Sequence, residues 1–444
     1  MNRFDIRDIV TILLNSIYNT VGEDGLATGF ALGSSSGTHP LGSINITLFF
    51  RRKKLLPAAI KLRELGPVHL RYLPLGHCFS LLRNFLCERY HLIACNDIFS
   101  RAETSLLERV SHSHIDLLVE EFAKSDILIP DFNTYLFPLV PIQVKSAFNG
   151  SSFTFSKNSD LPSQFRCSGY PPGFINGEQF PPFTERNWNT KSPSSWLLVE
   201  APSPDVAKRY RSSILGATSL TVKHRYRYQF TGRKIFGGIA SIGNGWTISN
   251  SSPHTPALGI DITLSEEDAD WLQILDTTLT STSKSETKKL KSLQYFYRSW
   301  FLPDSERFAI DCITIDSMFG DANGATEAVA SGVDEIFEGK LDRRRVLLLM
   351  RLRNSVIHGG APDVYDSIKY AKYYRDYGED PINDMSALVA ESLRRKIFNG
   401  KLREHSDFFA GVIERATSIG ILPAQVHSGI LSPLFETDIP RVDT

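Results

Sequence analysis

Arg353-Asn354-Ser355-Val356-Ile357-His358-Gly359-Gly360 closes the most strongly helical segment of this sequence. The helix is expected to begin near Asp342. At helical spacing Val346, Leu349, Met350, Arg353 and Ile357 share one face. Leu348, Leu352 and Val356 form a second apolar stripe beside it. A helix apolar over so much of its circumference is buried, so Arg353 sits on a face that turns inward. Buried arginine needs a partner, because stranding its charge is costly. Gly359-Gly360 ends the helix, since glycine accepts the left-handed cap conformation. That leaves His358 at the helix C-terminus, where the partial negative charge favours its protonated form. The Arg-to-His spacing alone says little. Arg63 to His69, Arg71 to His77 and Arg109 to His114 satisfy it too. Only Arg353 is followed by Asn, and only this match closes a long apolar helix with a glycine pair.

The helices before this stretch support the same reading. Pro303-Asp304 starts a helix in which Phe308, Cys312, Ile315 and Phe319 make an apolar stripe. Asp316 lies at the edge of that stripe, and Arg353 is expected to be its counter-charge. From about Ser283 to Asn399 the sequence resembles the Apea-like branch of the HEPN domains. The matching pieces are Asp304-Ser-Glu-Arg-Phe-Ala-Ile, Ile315-Asp316-Ser-Met-Phe319, and Arg353-Asn354 through His358-Gly359. The family usually has Glu where this chain has Asp316, which keeps the charge and shortens the reach. The resemblance implies a metal-independent endoribonuclease in which Arg353 and His358 are catalytic. It also implies a homodimer through the HEPN domain, with RNA as substrate and no cofactor, and a toxin-like role in abortive infection against phage. The alternative it leaves open is a non-catalytic HEPN adaptor that binds RNA, nucleotide or a partner protein.

Composition sets outer bounds. At 444 residues the chain is long enough for two or three cores. Lys+Arg and Asp+Glu both number 49, so contact with a polyanion must come from local patches. Cys78, Cys87, Cys95, Cys167 and Cys312 form no C-x-x-C pair, which points to a reducing compartment and away from a zinc site. The start Met1-Asn-Arg-Phe-Asp is too polar for a signal peptide, and no run approaches a membrane span. A cytoplasmic protein without a membrane segment is expected.

Taken in order, residues 5 to 19 read as an amphipathic helix and Gly22 to Gly42 as a flexible surface loop. Ile44 to Phe50 reads as a strand. Helices are expected over His77–Tyr90 and Ala102–Phe122, and strands over Leu136–Lys145 and Ser152–Phe155. From Pro162 to Pro204 the composition is rich in Pro, Gly and Ser, and reads as a long irregular segment. Lys223 to Phe230 alternates basic and aromatic residues. As a strand it would present Arg225 and Arg227 on a cationic face, either an ordinary half-exposed strand or a nucleic-acid surface. Gly243-Asn244-Gly245 between apolar runs predicts a hairpin. Capping pairs at Ser265 with Asp268 and at Ser283 with Glu286 open a helical region. Further helices are expected over Asp363–Tyr377, Met385–Phe398 and Asp407–Ile419.

The expected fold class is therefore α+β. A mixed region over 1–262 would be regulatory or target-sensing, open to a phage-derived or protein trigger. An all-α HEPN bundle would follow over 263–422, then a tail over 423–444. Within the proposed site, histidine titrates near neutrality and can move protons. Arginine is always charged and fits phosphate oxygens. Asn354 either positions the phosphate or His358, or serves the helix end. Arg343, Arg344 and Arg345 either bind RNA phosphates or form a solvated helix start, where cations are unfavourable.

Overall fold

A computed structural model describes residues 2–20, 25–32, 44–71, 73–93, 104–161, 183–184, 190–191, 195–233, 235, 237–243, 245–281, 283–320, 324–357, 363–407, 409–422 and 429–435. The chain divides into two compact units, Met1–Phe132 with Pro202–Val206, and Asn133–Ala201 with Ala207–Thr444.

The first unit is built on helices α1 (Arg3–Asn15), α2 (Arg52–Leu65), α3 (Val68–Arg71), α4 (Leu75–Arg89) and α5 (His112–Lys124). Asn2 and Asp5 form a reciprocal capping box that starts α1. Its buried face is Ile6, Ile9, Val10, Leu13 and Leu14. Strands β1 (Ile17–Tyr18), β2 (Gly25–Leu32) and β3 (Ile44–Arg51) make an antiparallel sheet in the order β1-β3-β2. Part of the expected Gly22–Gly42 loop is therefore strand β2, paired residue for residue with β3. The expected Ala102–Phe122 helix is shorter. Its described part is a 3-10 turn at Leu106–Glu108, then α5, which Ser111 caps.

The second unit contains strands and helices together. Its strands are β4 (Asn133–Leu139), β5 (Ile142–Val144), β6 (Phe148–Asn149), β7 (Phe153–Lys157), β8 (Phe183–Thr184), β9 (Thr190–Lys191), β10 (Ser195–Ala201), β11 (Gly237–Ile242), β12 (Trp246–Ser251) and β13 (Ile262–Leu264). Six of them form an antiparallel sheet in the order β12-β11-β4-β10-β7-β6. The predicted hairpin around residue 244 is the β11–β12 pair. The irregular segment expected to run to Pro204 instead ends in β10, an interior strand. Its run Trp196-Leu-Leu-Val is buried between β4 and β7.

The helices of this unit are α6 (Pro204–Ser219, from Ala207 on), α7 (His224–Arg227), α8 (Ala269–Thr280), α9 (Lys284–Ser299), α10 (Asp304–Phe319), α11 (Ala325–Ile336), α12 (Arg343–Ile357), α13 (Ile368–Tyr377), α14 (Pro381–Phe398), α15 (Ala410–Ser418) and α16 (Ser432–Phe435). Ser265 and Ser283 cap as expected, and Asn399 ends α14 in the left-handed conformation. Trp271, Phe296, Trp300, Phe308 and Leu349 are buried in the helical layer. Each fully buried large apolar side chain contributes roughly 1.5–3 kcal/mol.

Sheet and helices share this unit, so the compact units do not divide at the expected 262/263 boundary. The ties are specific. Asp276 on α8 accepts hydrogen bonds from the Ser151 and Ser152 backbone N–H groups, each at 2.8 Å. On α9, Tyr297 donates to the His254 carbonyl at 2.7 Å. Helix α6 crosses α9 at Gly216, where a Cβ would lie 2.2 Å from the Leu293 carbonyl oxygen. No helix among the described residues is long and apolar enough to cross a membrane.

Candidate functional site

Asp316 belongs to the last turn of α10, and Arg353 stands one turn before the end of α12. The two helices pack together, which brings the apolar stripes of both into the core and the two charges to its edge. Arg353 Nη2 donates to Asp316 Oδ2, the predicted pair, and Nη1 donates to Asn354 Oδ1 at 2.8 Å. The side chains of Arg353 and Asp316 are only 15% and 17% exposed. Nonetheless Arg353 Nε and Asp316 Oδ1 are buried with no hydrogen-bond partner among the described residues. Buried polar atoms rarely go unmet. Burial pushes the Asp316 carboxyl above the ordinary carboxylate range, and the opposing pull of the Arg353 guanidinium does not cancel it.

Helix α12 runs to Ile357, the residue before His358. His358, Gly359 and Gly360 lie outside the described residues. A contact not foreseen from sequence closes the same end of α12. Lys369 Nζ donates to the Arg351 carbonyl at 3.0 Å and to Ser355 Oγ at 2.8 Å. A lysine there also suits the negative end of the helix. No local pattern announces Lys369, since its partners lie on a different helix. Among the exposed residues of this region are three large apolar ones: Ile368 is 89% exposed, and Ile357 and Tyr365 are also exposed.

The other arginines named from sequence do not gather here. Arg343 pairs with Glu327 at 2.9 Å, and Arg344 is exposed. Arg345, by contrast, is buried, with its Nε donating to Tyr373 Oη at 2.8 Å and to Asp384 Oδ2 at 3.0 Å. The expected strand over Lys223–Phe230 is instead the short helix α7. Arg225 is ion-paired with Asp407. Arg227 is fully buried, its Nε and Nη2 donating to the Ser219 and Val222 carbonyls. Neither Arg345 nor Arg227 is at a surface that RNA reaches. Helical winding puts Arg227 one turn below Lys223, where the carbonyls of Ser219, at the end of α6, and of Val222 collect it.

His254 illustrates a histidine with every nitrogen satisfied. Its Nε2–H donates to the Gly238 carbonyl at 2.6 Å, and its Nδ1 accepts from Arg211 at 2.7 Å. Burial, reinforced by Arg211, brings its pKa down to about 3 and keeps it neutral. No group of three or more His, Cys, Asp or Glu side chains that could hold a metal occurs among the described residues. Comparison with protein-family models, curated proteins and solved structures finds no match to this chain.

Proposed function

We propose that this chain is a metal-independent endoribonuclease of the HEPN type, acting as a homodimer, with a toxin-like role in antiphage abortive infection. The observation that carries the reading is the open ion pair at the end of α12. Arg353 and Asp316 hold each other, yet each keeps one buried polar atom without a partner among the described residues. A phosphodiester oxygen would answer Arg353 Nε, and a charge-assisted bond of that kind is among the strong ones. His358 follows at the family's spacing.

In this reaction His358 takes the proton of the ribose 2'-hydroxyl. The 2'-oxygen attacks phosphorus while Arg353 balances the charge that develops there. The bond to the 5'-oxygen breaks, and that oxygen leaves with a proton from a protonated histidine. The products are a 2',3'-cyclic phosphate and a 5'-hydroxyl. Two proton transfers call for two histidines, which a two-fold dimer supplies. Exposed Ile357 and Ile368 beside the motif support an interface there. The region before residue 263 would receive the trigger.

Incubating the purified full chain with RNA in excess EDTA tests the proposal. Cleavage ends carrying 2',3'-cyclic phosphate are expected, and they should vanish in His358→Ala. Cleavage at the wild-type rate by His358→Ala overturns it.

A further inference from the structure

Away from the Arg353 pair, the second unit holds a cavity of about 770 Å³, within the roughly 300–1,000 Å³ typical of small-molecule sites. Its polar wall includes His224 and Arg227 of α7, Arg394 of α14, and Arg403 and Glu404 just beyond α14. Ile336 and Leu402 give it an apolar side.

Three arginines are buried in or against this wall: Arg227 is 0% exposed, Arg307 2% and Arg394 8%. Arg394 is well answered, by the Leu220 carbonyl, by Glu391 at 3.2 Å and by Glu404 at 2.8 Å. Arg307 reaches Asp304 at 2.8 Å and stacks 3.6 Å from the centre of the Tyr228 ring. Arg227 is not answered in the same way. The carboxylate paired with it is Glu404, at 3.5 Å and shared with Arg394. The Tyr228 hydroxyl interacts with the guanidinium, but Arg227 Nη1 is buried with no hydrogen bond of good geometry among the described residues, and so is Nε2 of His224, one turn earlier on the same helix. The remaining carboxylates are committed. Glu391 is held by Arg394 and Arg395, and Asp384 by Arg345. Asp311, whose carboxyl burial pushes up, accepts from Ser386 Oγ at 2.5 Å. Leaving a guanidinium in this state costs free energy that an anion would recover.

We infer that the cavity binds a phosphorylated small molecule, with its phosphate received by Arg227 Nη1 and His224 Nε2–H and its organic body against Ile336 and Leu402. Arg403, exposed at the rim, adds a third donor. A tetrahedral oxyanion fits donors that come from separate side chains. A carboxylate prefers the two-nitrogen edge of one guanidinium, and Arg227 has already committed Nε and Nη2 to backbone carbonyls. Burial, together with Arg227, Arg307 and Arg394, lowers the His224 pKa to about 3, so the free site holds a neutral imidazole. This inference does not depend on the ribonuclease reading, because it is tested by binding and not by cleavage.

The test is thermal unfolding and calorimetry of the full chain with nucleoside 5'-monophosphates, sugar phosphates and inorganic phosphate. The matching nucleosides and sugars serve as unphosphorylated controls. A phosphorylated compound should raise Tm with concentration while its unphosphorylated counterpart does not. Arg403→Glu should weaken that binding by about tenfold or more. Ala387→Trp, which fills the cavity from α14, should abolish it with an unchanged circular dichroism spectrum. Arg227→Met keeps the bulk and removes the charge, and should also abolish binding. The proposal is overturned if no phosphorylated compound binds. It is equally overturned if binding survives both Arg403→Glu and Ala387→Trp, or if only RNA oligonucleotides bind.

Discussion

Two arginines of helix α12, Arg345 and Arg353, stand two turns apart with most of their side chains out of solvent, each facing a carboxylate on a neighbouring helix, and the two pairs differ in how completely they are satisfied. Arg345 meets Asp384 and Tyr373, while the second Asp384 oxygen accepts the Ile430 N–H at 2.9 Å. The Arg353–Asp316 pair keeps a buried nitrogen and a buried oxygen unmet among the described residues. The charges are alike, and the Arg345 pair is the more deeply buried, its side chains 10% and 4% exposed, but neither charge nor burial by itself separates a structural ion pair from one with capacity to spare. Satisfaction separates them. A closed pair braces helices and has nothing left to offer a ligand. An open pair pays a polar penalty in the free protein, and a bound phosphate would remove the part that falls on Arg353 Nε.

The largest expected effect tests that distinction in catalysis. His358→Ala and Arg353→Ala should each lower RNA cleavage roughly a hundred- to ten-thousand-fold. Arg353→Lys keeps the charge and loses the fork, so it should remain a folded but very poor enzyme. Gel-based cleavage at matched protein concentration measures all three. Wild-type cleavage by Arg353→Ala would break the comparison, because the open pair would then be no more functional than the closed one.

Stability should rank the pairs the other way. Removing one partner of a buried ion pair costs about 3–5 kcal/mol, so Arg345→Ala should lose that much in urea unfolding. Arg353→Ala strands a partly exposed Asp316 and should lose about 1–3 kcal/mol. Equal losses would mean that both pairs are braces.

Only part of this contrast was legible in the sequence. The Arg353–Asp316 contact was, because each residue interrupts an apolar stripe at helical spacing. A charge on an inward face demands an opposite one nearby. Arg343, Arg344 and Arg345 look alike as a run, however, and the partners that set Arg345 apart lie on α13 and α14. Residues Lys223 to Phe230 alternate in a way that suits a strand. The alternation does not show the groups that hold Arg227 in the helix, the carbonyls of Ser219 and Val222 and the distant Glu404. Strand β10 was hidden by the Pro- and Ser-rich composition around it, although Trp196-Leu-Leu-Val is a buried-strand run by itself. The shared unit of sheet and helices was not legible either. It rests on contacts such as Asp276 with Ser151 and Ser152, which span far more sequence than any local pattern.

Acid pH offers a finer test of the open pair. The folded chain raises the Asp316 pKa, chiefly through burial, so folding favours its protonated form. That contribution is complete below the unfolded-state value of about 3.9 and is lost as pH rises through the folded-state value. The stability of wild type relative to Asp316→Asn should therefore improve as pH is lowered from 7 toward 4. Paired urea titrations across that range measure it. The opposite slope would show that Arg353 dominates the carboxyl and that the pair is closed in energy if not in geometry.

The smallest effect concerns Arg344, the exposed arginine at the start of the same helix. Asp342 already serves this end, accepting the Arg344 N–H at 2.8 Å, and Glu327 neutralises Arg343. Arg344 places a cation at the positive end of the helix dipole, where an acid is favoured by about 0.3–1 kcal/mol. Arg344→Glu should therefore stabilise the chain by about that amount in low salt, and the gain should shrink as salt screens it. If Arg344 instead contacts RNA phosphates, the same substitution weakens RNA binding and reduces its salt dependence by about one phosphate contact. Measuring unfolding and RNA affinity on one variant distinguishes a solvated helix start from a third kind of arginine on α12, neither braced nor open but held ready for the nucleic-acid backbone.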